Sequence, residues 1–584
     1  MTRRAEPAIT AAAPALTAGS LSLRVARMTG SDIARRDTSF RIIQILTIVV
    51  ALILFSLVLR SAGHVYDMPL TEDGYYSLSV ARNLAAGRGL TIDGVNLTNG
   101  FQPLFTIVES GAFVLARGDE ILAMRLVMLF SWLFHVGGAI MVAAIARDAW
   151  PAKFGSTERA WRGWTAAFLY LAAPLLLNHA YNGLETGCVL FFYAACWRWM
   201  QIDGDRSWAG LAVFGALIGL MVLARIDSAF LALVLGLNEL RRSRAFGWPT
   251  MLARGAVMGG MALLISSPWW LYNQIYFGSP MPTSGTAQQE WGIEWLRFEF
   301  ADWALRLVTV PWIFAGAKET AIDLWIPWPL GPAHAMQLTL TGAIRTALLI
   351  AAGVVLWRWL RSGAARIERT SADPLQERRT ERTLEFALCL AIALAALIAY
   401  YALSFIAYWF FYRYFVPASL FAFVLVPILW ARVASASRFP ALGTAIAVIL
   451  AVQTGALTLW ARTGEGLGGN TVYHDQVALV REHVPPGDEV AAGQSGTLGF
   501  FQDCVVNVDG KVNRAALAYQ THMWDYLRER GVKWFVDWPH YLNKYLDIPL
   551  EGPDQKPVTA ANGWRLVAER NYFYLYEYVG DAAR

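Results

Sequence analysis

Apolar runs of about 20 residues, long enough to cross a ~30 Å hydrocarbon core, recur from residue 41 onward. In lipid every backbone polar group must find its partner inside the chain, and a succession of such runs does that as helices. Composition agrees: 56% of the residues are hydrophobic and 16% charged, against roughly 25% charged in a soluble globular protein. The sequence therefore reads as an α-helical polytopic membrane protein. Eleven spans are expected, at about 41–62, 121–146, 163–179, 184–201, 207–223, 226–240, 254–274, 341–361, 384–406, 414–433 and 439–461. The first run is full length, so it reads as a span and not as a cleaved signal.

The arginines set the orientation. Arg24, Arg27, Arg35, Arg36 and Arg41 precede the first span, which puts the N-terminus in the cytoplasm by the positive-inside rule. Every second loop should then be basic. Those loops hold Arg147, Lys153, Arg159 and Arg162; Arg206; Arg241, Arg242, Arg244 and Arg254; the run from Arg358 to Arg382; and Arg432 and Arg438. The agreement requires reading 101–116 (FQPLFTIVESGAFVLA), short and interrupted by Glu109, as an interfacial helix. A crossing there would turn every later basic loop outward. Segments 63–120, 275–340 and everything after about 462 then face the outside. Residues 1–40, rich in Ala, Arg, Ser and Thr, read as a disordered cytoplasmic tail, 41–461 as the transmembrane module, and 462–584 as an extracytoplasmic α/β domain. That domain has strand-like EVAAG (489–493), CVVNVDG (504–510) and KWFVDW (533–538) between helical HDQVALVREHV and MWDYLRERG.

Several function classes drop out. The net charge of +5 is modest and its arginines lie beside apolar runs, so nucleic acid is not an expected partner; the lipid bilayer is. Cys188, Cys196, Cys389 and Cys504 form neither a disulfide framework nor a zinc spacing. GQSGTLG (493–499) has the spacing of neither phosphate-loop motif, and His474, His483, His522 and His540 lack a metalloprotease-like pattern. No internal repeat is visible, which removes the usual mark of an inverted-repeat transporter.

Glu72 and Asp73, in TEDGYYSLSVARN (71–83), follow the first span closely on its outer side. Carboxylates partly desolvated at an interface gain basicity, which suits a general base; a solvated loop pair would look the same in sequence. Tyr75 and Tyr76 read first as interfacial aromatics. FYRYFVPASL (411–420) puts Arg413 and Tyr414 at the outer end of the tenth span, where an arginine either snorkels or grips phosphate with its fork. Arg225 and Asp227 in LARIDSAF (223–230) form an ionisable pair at the outer junction of spans five and six, read as a salt bridge first and a site lining second. Glu185 in YNGLET (181–186) stands at a helix start, a place the helix dipole alone favours.

The stretch TEDGYYSLSVARNLAAGRGLTIDGVNLTNGFQPLF, followed by GDEILAMRL, resembles the first external loop of the GT-C glycosyltransferases. These polytopic enzymes take sugar from a polyprenyl-phosphate carrier; they include aminoarabinose transferases of lipid A, protein O-mannosyltransferases and mycobacterial arabinofuranosyltransferases. Their loop has an acidic residue or pair after the first span, a surface helix, a second surface helix opened by an aromatic-Pro stretch, and a span starting near an Arg. Here those are Glu72 and Asp73, the helix 75–87, FQPLF at 101–105 with Gln102, and Arg125. The resemblance implies Asp73 as catalytic base, ten residues before Asn83 as in the arabinofuranosyltransferase-like pattern, with Glu72 beside it. It implies Arg413 and Tyr414, in an RY-x-x-P phrase, as the carrier-phosphate site. Arg225, Asp227, Glu185, Tyr75, Tyr76, Asn83 and Gln102 would line the site, and a divalent ion, Mg or Mn, bridges the acidic pair and the phosphate in some members. NQIYFGSPMPTSG (273–285) is similar to a stretch these enzymes carry before a large outer loop.

The resemblance further implies a polyprenyl-phosphate-sugar donor, a cell-envelope acceptor (glycan, lipid or protein), inversion by single displacement, and a place in the bacterial cytoplasmic membrane. An outward-facing site has no nucleotide-sugar pool, and a lipid-linked sugar supplies what is missing. Two other expectations compete with it. One is a transporter or flippase of such precursors that uses Glu72, Asp227 and Glu185 as proton or substrate sites; the other is a non-enzymatic envelope scaffold.

Overall fold

The computed structural model describes residues 30–152, 155–287, 373–404, 411–436, 440–463 and 471–580. Up to Thr463 it is helical: α1 (Gly30–Phe55), α2 (Glu72–Ala85), α3 (Pro103–Ala116), α4 (Glu120–Asp148), α5 (Gly155–Leu171), α6 (Pro174–Ala180), α7 (Thr186–Gln201), α8 (Trp208–Ala224), α9 (Ala229–Ser243), α10 (Trp248–Phe277), α11 (Pro374–Ser404), α12 (Phe411–Phe415), α13 (Ser419–Ala436) and α14 (Pro440–Thr463). Among the described residues five helical stretches are long and apolar enough to cross a membrane: Asp37–Phe55, Glu120–Asp148, Trp248–Phe277, Pro374–Tyr401 and Gly443–Arg462. Ten of the eleven expected ranges fall on helices, and 341–361 lies outside the described residues.

The departures have local causes. The first helix ends at Phe55 rather than near 62, because the following segment folds into turns around Arg60. That guanidinium is buried and donates to the carbonyls of Val65 at 2.7 Å, Asp67 at 3.0 Å and Met68 at 2.6 Å. Arg125 then donates to the Arg60 carbonyl at 3.0 Å. The third expected span is two helices, α5 and α6, since Pro174 starts a new helix at a position where its missing N–H is not needed. The tenth is likewise broken into α12, a short 3-10 turn containing Pro417, and α13.

Ion pairs gather the basic loops at one end of the bundle. Arg198 meets Asp148 at 2.9 Å, Arg382 meets Asp203 at 2.7 Å, Arg254 meets Glu239 at 2.7 Å, and Arg242 pairs with Asp205. The C-terminal end of α8, the N-terminal ends of α7 and α9, and α12 lie at the other end. Helix α3 runs beside α2: Ser77 of α2 bonds Thr106 at 2.6 Å and donates to the buried Glu109 at 2.5 Å. Arg82, in the last turn of α2, reaches Glu120 just past the end of α3 at 3.2 Å. The outer face of α3 is apolar, with Ile107, Val114 and Leu115 each more than half exposed, which suits a helix lying at a lipid surface.

The C-terminal part consists of α15 (Thr471–His483), β1 (Val490–Ala492), α16 (Gly496–Phe501), β2 (Val505–Asn507), α17 (Arg514–Leu517), α18 (Met523–Arg530), β3 (Trp534–Asp537), α19 (Pro539–Leu546), β4 (Leu550–Glu551), β5 (Lys556–Pro557), β6 (Ala560–Ala561), β7 (Trp564–Arg570) and β8 (Phe573–Tyr578). The main sheet has the order β2-β1-β3-β8-β7-β6, with β1 parallel to β2 and β3 and the rest antiparallel. The three strand-like segments and two helical segments picked from the sequence are β1, β2, β3, α15 and α18.

The carboxyl edge of the parallel strands faces α2. Asp537, at the end of β3, accepts from the backbone N–H groups of Gly493 at 2.6 Å and Gln494 at 3.0 Å and so fixes the turn after β1. That turn touches α2, where Ser495 N–H donates to the Tyr76 hydroxyl at 3.0 Å.

Candidate functional site

A cavity of about 460 Å³ opens where the end of the bundle meets the C-terminal domain. Helix α2 supplies Asp73, Tyr76 and Ser77; the start of α3 supplies Phe101 and Gln102; the α8–α9 junction supplies Arg225 and Asp227. Glu185, Tyr401, Arg413 and Tyr414 belong to the bundle's share as well, with Trp270 and the Pro280–Pro282 stretch beside them. Lys511 and Val512 come from the C-terminal domain. A larger cavity of about 1070 Å³ lies at the opposite, basic end, but its Arg242, Arg254 and Arg382 are spent on Asp205, Glu239 and Asp203.

Asp73 and Arg413, 340 residues apart in sequence, meet at 3.1 Å. Tyr414 lies under two guanidinium groups, with Arg225 at 4.1 Å and Arg413 at 5.4 Å from its ring centre, where each gains a cation–π attraction. Arg225 is gripped by Glu185 at 2.7 Å and by Asp227 at 2.9 Å, and Tyr401 donates to Asp227 at 2.8 Å. The salt bridge foreseen for Arg225 and Asp227 is thus present, and it also lines the cavity. Gln102 caps the turn by accepting from Ile226 N–H at 3.1 Å.

The acidic pair divides. Glu72 is buried and turned away from the cavity, and its carboxylate accepts from Gly496 N–H at 2.5 Å, Thr497 N–H at 2.8 Å and the Thr497 hydroxyl at 2.5 Å. The first helical residue of α2 is therefore a clamp on α16 of the other domain. Burial pushes the Glu72 carboxyl up to about 7, the three donors pull it back, and Asp73 adds to the rise. Both Glu72 oxygens accept from those donors. Among the described residues no group of three or more His, Cys, Asp or Glu is placed to hold a metal.

Two other residues expected in the lining lie elsewhere. Tyr75 is fully buried, donates to the Tyr66 carbonyl and packs on Phe500 and Phe501. Asn83 donates to the Thr91 carbonyl at 2.9 Å and pins the loop after α2. Both hold the scaffold: Tyr75 sits on another face of α2, and Asn83, on the face of Tyr76, lies about two turns beyond it along the helix. Tyr76 does reach the cavity, with its hydroxyl spent on Ser495 and on the Gly493 carbonyl at 3.2 Å.

Sequence reasoning missed Lys511 and the Ser77–Glu109 contact. Lys511 follows Asp509 and Gly510 in what reads as an ordinary turn, and nothing in its spacing points to residues more than 400 positions earlier. Its ammonium pairs with Asp509 at 3.2 Å. Against a burial that would lower it, Asp509 and then Asp73 hold that ammonium above the usual lysine range.

Residues 468–581 match a family described as a domain of unknown function, DUF8728. No curated protein matches the chain. Among solved structures, the chain is similar to ArnT from Cupriavidus metallidurans bound to undecaprenyl phosphate, at 17% identity and TM-score 0.46 over 92% of this chain and 98% of that one. It is similar to the same protein in the apo state, at 15% identity and TM-score 0.45 over 91% and 97%. It is also similar to the archaeal oligosaccharyltransferase AglB from Archaeoglobus fulgidus in complex with an inhibitory peptide and a dolichol-phosphate, at 14% identity and TM-score 0.46 over 85% and 69%. At such scores the likeness assigns no residue of this chain.

Proposed function

We propose that the chain transfers a sugar from a polyprenyl-phosphate-linked donor to a hydroxyl of a cell-envelope acceptor, at the outer face of the cytoplasmic membrane. The observation that carries this reading is the meeting of Asp73 and Arg413 in one cavity, a carboxylate able to take a proton beside a guanidinium able to hold phosphate. The acceptor oxygen attacks the anomeric carbon as the bond from that carbon to the phosphate oxygen breaks. The acceptor's proton passes to Asp73, and the bonding electron pair leaves with the phosphate. Arg413 offsets the charge that develops there. One displacement inverts the anomeric carbon. Glu185 and Asp227 hold Arg225, and Arg225 with Tyr414 backs the wall beside Arg413. Glu72 positions the C-terminal domain, and the acceptor's proton goes to Asp73 instead.

Arg413→Ala should weaken donor binding about tenfold to a hundredfold, the worth of one charge-assisted contact, with little change in folding. Donor affinity and turnover equal to the parent protein's would make Arg413 an anchor only. The orientation has its own check. Cys504 is exposed, whereas Cys188, Cys196 and Cys389 are buried, so a membrane-impermeant maleimide added to intact cells should label the chain and should fail on Cys504→Ser. Labelling that requires broken cells would put the cavity on the wrong side for a lipid-linked donor.

A further inference from the structure

The C-terminal domain meets the bundle with the carboxyl edge of its parallel strands, the edge at which open α/β sheets bind ligands. The turn after β2 carries Lys511 from that edge into the cavity. Its path is tightly specified. Gly510 takes φ +79°, a conformation side chains disfavour. Lys511 N–H is held by Asp509 at 2.9 Å. The Lys511 carbonyl lies so close to Gly100, just before α3, that a Cβ there would stand 2.1 Å from it. Two glycines, one on each side of the junction, thus let the Lys511 backbone settle against the start of α3.

The distribution of charge gives this lysine a role. Arg225 has two carboxylates, Glu185 and Asp227. Beside Asp73, Arg413 touches that carboxylate, and the Lys511 ammonium, paired with Asp509, lies on the same cavity and is held up by Asp509 first and Asp73 second. An ammonium is strongly hydrated and costly to draw into a cavity wall, and a wall that served packing alone would not need one. Asp509 steadies it without itself lining the cavity. Arg413 from the bundle and Lys511 from the C-terminal domain thus bring two cations to one cavity, and a phosphate entering it can take bonds from both.

We propose that Lys511 binds a phosphate oxygen of the polyprenyl carrier, so that the carrier's head is held between the bundle's Arg413 and the C-terminal domain. The proposal rests on the carrier reading of the cavity given above. It makes the domain of unknown function half of the binding site. A carrier monophosphate and a carrier diphosphate share this chemistry, and a binding experiment separates them.

The full-length protein in detergent would be titrated with undecaprenyl phosphate and with undecaprenyl diphosphate, for the parent and for Lys511→Ala, Lys511→Arg and Arg413→Ala. Lys511→Ala should weaken binding about tenfold, with most of the loss restored by Lys511→Arg. A loss for both lipids assigns Lys511 to the phosphate esterified to the polyprenyl chain, which both carriers have; a loss for the diphosphate alone assigns it to the terminal phosphate. Unchanged affinity for both lipids in Lys511→Ala, while Arg413→Ala still loses tenfold or more, overturns the assignment of Lys511 and leaves the carrier reading standing. Unchanged affinity in every variant overturns both. Equal loss in Lys511→Ala and Lys511→Arg, accompanied by a lower melting temperature, would make the residue a structural contact and also overturn the proposal.

Discussion

Asp73→Asn should lower sugar transfer by about 10² to 10⁴-fold, the usual contribution of a general base, while the lipid-linked donor still binds. The amide keeps the shape of the carboxylate and an oxygen facing Arg413, but it cannot take up the acceptor's proton. It also removes the negative charge that occupies Arg413 at 3.1 Å. Donor affinity should therefore stay level or rise as turnover collapses. Single-turnover transfer and equilibrium donor binding, measured on the same preparation, check the two halves of the expectation. Near-normal turnover would remove Asp73 from the chemistry.

Glu72→Gln, one residue away, should fail differently. Three donors converge on the Glu72 carboxylate, two backbone N–H groups and a hydroxyl. An amide presents one oxygen and one NH₂, which sets a donor against donors, and each buried donor left without an acceptor costs about 1 to 3 kcal/mol. That cost falls on the junction with the C-terminal domain. Residues 471–580 should be released by limited proteolysis faster than in the parent protein, whereas Asp73→Asn should leave the rate unchanged. Glu72→Gln should reduce transfer less than Asp73→Asn does. An unaltered proteolysis rate together with complete loss of transfer would return Glu72 to the chemistry and reverse the assignment of the pair.

The contrast between these neighbours marks how far the sequence could be read. Continuous apolar runs of span length announce helices, which satisfy their backbone within one segment in lipid, and helices lie under ten of the eleven expected ranges. The breaks at Pro174 and Pro417 follow from residues visible in the sequence, although an apolar run of span length does not reveal a single proline's effect on its own. The hairpin of β7 and β8 is not read from the sequence either, although Asn571, in a left-handed turn at φ 52°, separates two strand-like stretches. The acidic pair was legible as a pair but not in its division of labour. Successive residues on a helix point about 100° apart, so Glu72 and Asp73 had to face different surroundings. Which one faced the cavity depended on Thr497, 425 positions along the chain. Lys511 was illegible for the same reason, since its partner is a place and not a motif.

The most direct test of the central claim follows the leaving group. Purified full-length protein would be incubated with lipid-linked sugars extracted from the membranes of the cells that produce it, together with an envelope extract as acceptor, and free polyprenyl phosphate would be quantified. Stoichiometric release of polyprenyl phosphate with appearance of glycosylated acceptor, lost in Asp73→Asn, is the predicted result. Lipid-linked sugar recovered intact, or merely moved across the bilayer when the protein is reconstituted in vesicles, would contradict the account and favour a transporter.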